Sequence, residues 1–294
     1  MAVTKPEFWE REWLEAIKNS PVRRRERTFG AESMKRWNRM AKDFARRISD
    51  QHAIARRRQV IEGLCTRGIL TRESRVLDIG AGPGAWTLPL AEQSRHVTAL
   101  EPANVMADIL KSRLRESGVA NVSIKRETWQ SADLDALGWR NAFDLVFAAM
   151  TPGVDGPSTL KKMMKASRGY CYLSTFAGPG YQSQYAPLWE IFFKEPLGQT
   201  IYDIIYPFNL VYTLGYRPGL TFSRWEGRAD LARDEAVRMF TSFFENYMEI
   251  TRDTRSVIED YINRHSVEGR YLRPGNIRIG TMIWHFRHQE TAAN

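Results

Sequence analysis

The 294-residue sequence predicts an α/β protein, a mostly parallel sheet with helices on both faces. Three observations carry that expectation. Val76, Leu77 and Ile79 form a short apolar run bounded by turn residues, the pattern of a strand covered on both sides. The run contains Asp78 and opens directly into Gly80-Ala81-Gly82-Pro83-Gly84, after which a helical stretch from about Ala85 to Gln93 leads to a second apolar run, Val97 to Leu100, ending at Glu101 and Pro102. Strand-like and helix-like segments then alternate as far as about Thr175.

Ahead of the first strand the chain reads as helical. Thr4-x-x-Glu7 has the spacing of a capping box and opens a helix to about Lys18, with residues 20–30 a polar connection. The next helix runs from about Glu32 to Ile48, with Trp37, Met40, Ala41, Phe44 and Ile48 on one face. Ala53 to Arg67 supplies the helix before the first strand, and Gly68 stops it.

The glycine segment is where the chemistry starts. Residues without a Cβ let the backbone turn sharply and come close to a ligand, and Glu101 lies about 20 residues further on, at the tip of the second strand, where it suits a ribose diol. Gly80-x-Gly82-x-x-Ala85 alone would pass as a loose dinucleotide fingerprint, but the acid before it argues otherwise. A carboxylate there repels a pyrophosphate and suits a ligand with a cationic amino-acid end. Asp78-x-Gly80-x-Gly82-x-Gly84 followed by Glu101 resembles the class I S-adenosylmethionine-dependent methyltransferases. The resemblance implies a Rossmann-like, mostly parallel seven-stranded sheet with an antiparallel last strand and helices on both faces. It also implies Asp78 near the methionine moiety, the backbone of Gly80, Ala81, Gly82 and Gly84 around the cofactor, and Glu101 with Pro102 at the ribose.

Later elements are consistent with that pattern. Asn121 to Glu127 reads as the third strand, and Thr128-Trp129 stands where relatives often carry an acid and an alanine against the adenine; a hydroxyl and an aromatic face are the substitutes. Ala142 to Met150 resembles the fourth strand, and the resemblance turns Ala149, Met150 and Thr151 toward the methyl group. A helix from about Ser158 to Ser167 and a fifth strand from Tyr170 to Thr175 follow. In many relatives a helix in the position of residues 32–48 closes over the cofactor, which makes Trp37 and Asn38 candidate lid residues; a simple core stripe explains Trp37 equally well.

Residues 177–219 break the alternation with ten tyrosine, phenylalanine and tryptophan residues punctuated by prolines and glycines. An insertion there is placed to form the acceptor wall, with Tyr202, Tyr206 and Tyr212 as substrate-side candidates. Leu220 to Trp225 then reads as a strand, Ala232 to Tyr247 and Thr254 to Arg264 as helices, and Ile277 to Phe286 as the last strand, beside the fifth. The expected organisation is a helical extension and lid over residues 1–70 and a methyltransferase domain over 71–294.

Composition narrows the function. Residues 1–75 hold 19 Lys and Arg against 10 Asp and Glu, which is the whole formal excess of +9. Arg23-Arg24-Arg25, Arg46-Arg47 and Arg56-Arg57-Arg58 read as solvated helix faces or as a basic surface for RNA, although no aromatic platform interleaves with them. Cys65 and Cys171 make no disulfide framework, lie in no Pro-Cys context suited to attack on a pyrimidine, and His285-x-x-His288 lacks further ligands at metal spacing. No apolar run approaches the roughly 18 residues that span a bilayer, and no signal-peptide core is evident, so a cytoplasmic location is expected. Transfer of a methyl group from a sulfonium needs alignment and exclusion of water more than it needs a triad; Tyr202, Tyr206, Tyr212 and His265 are the candidates to assist. The expected function is methylation of a small organic molecule with S-adenosylmethionine as cofactor. An RNA acceptor bound by the basic segment, or a cofactor-binding regulator without turnover, are the alternatives.

Overall fold

A computed structural model of the chain describes residues 2–29, 33–224, 230–272 and 277–286. Four helices come first: α1 (Pro6–Asn19), α2 (Pro21–Phe29), α3 (Ser33–Ile48) and α4 (Gln51–Thr66). Strands β1 (Arg75–Ile79), β2 (His96–Leu100), β3 (Val122–Lys125), β4 (Phe143–Ala149) and β5 (Ser167–Phe176) then alternate with α5 (Thr87–Glu92), α6 (Asn104–Glu116) and α7 (Pro157–Ala166). Beyond β5 come α8 (Ala186–Phe193), α9 (Ile205–Thr213) and β6 (Gly219–Arg224), then β7 (Asp230–Ala232), α10 (Arg233–Phe244), α11 (Arg252–Arg264), β8 (Ser266–Val267), β9 (Arg270–Leu272) and β10 (Arg278–His285).

Seven strands form the main sheet in the order β3-β2-β1-β4-β5-β10-β6. The first five are parallel, and β10 runs antiparallel between β5 and β6. Period-two alternation sorts the strand residues to the two faces. Leu77, Ile79, Val146, Ala148, Cys171, Leu173, Met282 and Trp284 pack under α1, α7 and α9. Val76, Val97, Leu145, Phe147 and Tyr172 pack under α4 and α5 on the opposite face, where Ala99 meets Leu110 and Leu114 of α6. Among the described residues no helix is long and apolar enough to cross a membrane.

The N-terminal segment departs from the sequence reading in two places. Pro6 begins α1, which puts Lys5 at the cap position without a side-chain bond, so Thr4 stands one residue too early to act as a capping box. Residues 20–30, expected as a polar connection, instead contain α2, where Ser20 Oγ accepts the Arg23 N–H at 3.3 Å and Pro21 is the first helical residue. Glu32, the expected start of the third helix, lies outside the described residues, as do Trp225 and His288.

The insertion and the segment after β6 share a second core. Tyr185, Leu188 and Trp189 pack with Val237, Phe240, Phe243, Phe244 and Tyr247 of α10 and its end, with Ile258 and Ile262 of α11, and with Tyr271 of β9. Tyr185 stacks on Phe243 at a centroid distance of 3.7 Å. A three-stranded sheet, β7-β9-β8, edges this lobe. Most aromatics read from the sequence as an acceptor wall are therefore spent on a core, because rings this large stabilise most where they are fully removed from water.

Trp13 fastens α1 to the rest of the chain. Its indole N–H donates to the Ile201 carbonyl at 3.0 Å, its ring stacks on Tyr206 with centroids 6.0 Å apart, and only 1% of it is exposed. Trp13→Ala should cost about 3–5 kcal/mol of stability in urea unfolding; a loss below 1 kcal/mol would mean that α1 is not part of the cooperative fold.

Candidate active site

The site grows from the tips of β1 and β2. The register sets Ile79 opposite Leu100, and the Leu100 carbonyl accepts the N–H of both Gly80 (2.9 Å) and Ala81 (3.1 Å), so the loop leaves β1 by folding across β2. Gly80, Gly82 and Gly84 all lie at positive φ, at 73°, 56° and 89°. What a Cβ would meet differs among them. At Gly80 it would fall 2.0 Å from Thr151 Oγ1, and at Gly84 it would fall 2.5 Å from Leu110 and 2.8 Å from Leu88. At Gly82 the nearest atom is Met106 Sδ at 3.8 Å. Gly80 and Gly84 are overlain by neighbouring side chains of the protein, whereas a Cβ at Gly82 would meet nothing closer than an ordinary contact with Met106, so of the three it leaves the most room beside its backbone.

Glu101 shapes that backbone. One carboxylate oxygen accepts the Gly82 N–H at 2.8 Å and the other accepts the Ala103 N–H at 2.7 Å, so each oxygen keeps a further lone pair. Burial raises the pKa of Glu101 and the two backbone hydrogen bonds oppose the rise. Asp78 is 2% exposed, and among the described residues its one side-chain partner is the Thr87 hydroxyl at 2.7 Å. Burial, with a smaller push from Glu101, raises it from 3.8 to about 7, against the pull of the Thr87 hydrogen bond. Two buried carboxylates therefore flank an open patch of backbone, an arrangement that favours a cationic, hydroxyl-bearing ligand.

The other sequence-derived residues sort into three groups. Thr151 comes to the loop: Met150, at φ 51°, turns the chain off the end of β4, with its N–H held by the Ser174 carbonyl, and the Thr151 side chain lands against Gly80. Ala149 and Pro102 stand half-buried at the strand ends beside it. On the other side, α3 packs on α6 through Ala41, Ala103 and Met106, with Trp37 against Phe44 at 5.6 Å. Asn38 Oδ1 accepts the Val105 N–H at 3.0 Å and thus caps α6, whose own cap residue, Ala103, has no side-chain oxygen.

Thr128 and Trp129 require correction. Thr128 bonds Ser131 in a local turn, and Trp129 is 2% exposed with its indole N–H donated to the Thr159 carbonyl at 3.0 Å, so neither ring face nor N–H is left for an adenine. Tyr206 is likewise structural, through its stack on Trp13. Tyr212 belongs to α9, whose cap residue Ile204 sits against Gly280 and next to Asp203, which bridges the end of β5; the helix leads back along the sheet to Tyr216, so Tyr212 lies away from the strand tips, stacked on Phe208. His265 ends α11 with its ring nitrogen on the Tyr261 carbonyl at 2.8 Å. Neither cysteine is an activated nucleophile: burial pushes the Cys171 thiol up to about 12, and the Cys65 thiol is raised as well. His285 packs edge-on to Tyr170 in the sheet.

Tyr202 does reach the carboxyl ends of β4 and β5, in company the sequence did not suggest. Its carbonyl accepts the Thr175 hydroxyl at 2.6 Å, and its phenol oxygen accepts from Arg23 Nη2 at 2.6 Å. Arg23 also pairs with Glu26 at 3.2 Å and stands 3.6 Å from Asp155, which follows the β4 loop, while Arg36 reaches Glu26 at 3.5 Å. Arg24 and Arg25 pair with Glu195, and the Arg25 guanidinium lies 4.0 Å over the Phe193 ring. The arginine run is thus tied to the chain's own insertion through Tyr202, Phe193 and Glu195, with Arg24 still half exposed. A polar triplet inside a helix that follows Ser20-Pro21 was the available signal, hidden by reading 20–30 as coil.

Residues 76–168 match the family described as Methyltransferase domain. An uncharacterized protein of Haemophilus influenzae is 27% identical over 157 residues, covering 52% of this chain and 55% of that protein. A protein-L-isoaspartate O-methyltransferase of Saccharophagus degradans is 31% identical over 123 residues, covering 41% and 50%. The chain therefore spans about half the length of these curated relatives. In fold it is similar to the YcgJ protein of Bacillus subtilis, with a TM-score of 0.51 at 13% identity, over 77% of this chain and 98% of that one.

Two predictions test the loop. Gly82→Ala should cost only the left-handed backbone term of about 1–2 kcal/mol, whereas Gly84→Ala adds a collision with two leucines and should cost clearly more in urea unfolding; equal costs would contradict the packing described. Because the folded protein holds the Asp78 proton more tightly than the unfolded chain, the stability it contributes is complete below pH 3.8 and is lost as pH rises through about 7. Melting temperature should therefore fall less between pH 5 and pH 8 in Asp78→Asn than in the parent, and an identical fall in both would show that Asp78 ionises freely.

Proposed function

The chain belongs to the class I S-adenosylmethionine-dependent methyltransferases, and we propose that it methylates a small organic molecule. The observation that carries this reading is the bare backbone of Gly82 between two buried carboxylates. S-adenosylmethionine fits that donor set: a sulfonium and an ammonium for Asp78, ribose hydroxyls for the remaining Glu101 lone pairs, and close backbone approach at Gly82. When bound, this cofactor supplies an electrophilic methyl group. The rest of the chemistry falls to the protein's own groups, which bind, orient and exclude water.

Residues 1–70 act as the cover in this reading. Helix α3 lies against α6 beside Gly82, and α2 crosses to the ends of β4 and β5, where Arg23 meets Tyr202 and Asp155. A roof bonded at both ends suits a small acceptor better than a polynucleotide, and the first arginine run, 23–25, is paired with Glu26, Asp155 and Glu195. Burial pushes the Tyr202 phenol up to about 12 despite the nearby Arg23, so it remains a hydrogen-bond donor at neutral pH and is no base.

Glu101→Gln puts an amide N–H against one of two backbone N–H groups and should weaken S-adenosylhomocysteine binding by about 1–3 kcal/mol, roughly 5-fold to 150-fold, in calorimetric titration. Unaltered affinity in a folded variant would remove the cofactor assignment. Methyl transfer to a metabolite panel tests the activity itself; tight cofactor binding without any turnover would favour a regulator.

A further inference from the structure

We infer that the polar cluster of Arg23, Glu26, Asp155 and Tyr202 is the acceptor's recognition site, and that the acceptor is a small zwitterion: its carboxylate takes Arg23 and Tyr202, and its ammonium takes Asp155. The inference rests on the methyl-transfer reading and deepens it by naming the acceptor class. Position is the first argument. Asp155 follows the loop whose Thr151 touches Gly80, and Tyr202 is bonded to Thr175 near the end of β5, so the cluster stands at the carboxyl ends of β4 and β5, on the far side of β1 from Glu101.

The second argument is unused hydrogen-bonding capacity. A guanidinium carries five N–H donors, and among the described residues the Arg23 side chain commits only two of them, one to Glu26 and one to Tyr202. Asp155 stands at 3.6 Å, beyond hydrogen-bond reach, with its other oxygen on the Thr159 hydroxyl at 3.2 Å. The Tyr202 phenol accepts from Arg23 and has no acceptor for its own proton among the described residues. No bidentate Arg–carboxylate pair closes this cluster: Arg23 meets Glu26 and Asp155 through single contacts, which leaves guanidinium N–H groups and the phenol proton uncommitted among the described residues.

The third argument is charge. Among the described residues the ion pairs set Arg23 and Arg36 against Glu26 and Asp155, two charges of each sign. An anion alone would face two carboxylates, and a cation alone would face two guanidiniums. A ligand bearing both charges exchanges the long Arg23–Asp155 contact for two short ones and leaves every charge paired.

The test uses the full chain saturated with S-adenosylhomocysteine, whose own affinity is measured first. Glycine, beta-alanine, anthranilate and tyrosine, each beside its decarboxylated amine and its deaminated acid, are screened by saturation-transfer NMR and then by calorimetry. At least one zwitterion should bind at least tenfold more tightly than its amine or acid partner. Arg23→Gln, Asp155→Asn and Tyr202→Phe should each weaken it tenfold or more, with S-adenosylhomocysteine affinity unchanged within twofold; Tyr202→Phe keeps the ring packing and decides the matter should Arg23→Gln unfold. Binding of S-adenosylhomocysteine with no zwitterion bound, or zwitterion binding that survives all three substitutions, overturns the inference while leaving the methyl-transfer reading standing. Failure of the parent protein to bind S-adenosylhomocysteine overturns that reading, and this inference with it.

Discussion

Glu101 holds one oxygen on the Gly82 N–H and the other on the Ala103 N–H, and the geometry of the site depends on those two bonds. The first fixes the glycine loop over the tip of β2. The second fixes the start of α6, whose N-terminal N–H groups and dipole favour a carboxylate in that position. Asp78 has no such support. Its partner is a neutral hydroxyl, and in a medium of low dielectric its proton is retained to about pH 7. Folding has left one carboxylate well satisfied and one poised, and a ligand with a positive charge at the poised end and hydroxyls at the satisfied end resolves both.

The N-terminal helices run along the carboxyl edge of the sheet. Trp13 anchors α1 to the Ile201 carbonyl, Arg23 joins α2 to Tyr202, and Asn38 joins α3 to α6, so the segment spans the carboxyl edge of the sheet from the β5 side to the β2 side. That course accounts for one of its arginine runs. The run at 23–25 meets carboxylates on the β4 loop and in the insertion, and the aromatic residues of the insertion gather with α10 and α11 into a second core that supports Phe193 and Glu195 beneath it.

Much of this was legible in the sequence, for physical reasons that can be named. The central strands of the first half were readable because a strand buried on both faces is mostly apolar, and the loop was readable because glycine takes the left-handed turns at 80, 82 and 84 without strain. The last strand beside the fifth was expected from the resemblance, and β10 occupies that place. What escaped was anything decided by tertiary context. Trp129 carries the same letters whether it stacks on a ligand or donates to Thr159, and the rings of 185–193 could not be told from a pocket lining until α10 was seen to pack on them. Arg23 looked like surface because charge is usually solvated, and its partners lie about 130 and 180 residues away along the chain, far beyond any local pattern.

The central claim is that Asp78 holds its proton until a cation arrives. Calorimetric titration of S-adenosylhomocysteine at pH 7, in two buffers of different ionisation enthalpy, counts the protons exchanged on binding. A cation beside Asp78 draws its pKa down, so a net release of protons is predicted, seen as a difference in heat between the buffers that disappears in Asp78→Asn. Equal heats in both buffers with tight binding, or a release unchanged by the substitution, would contradict the account.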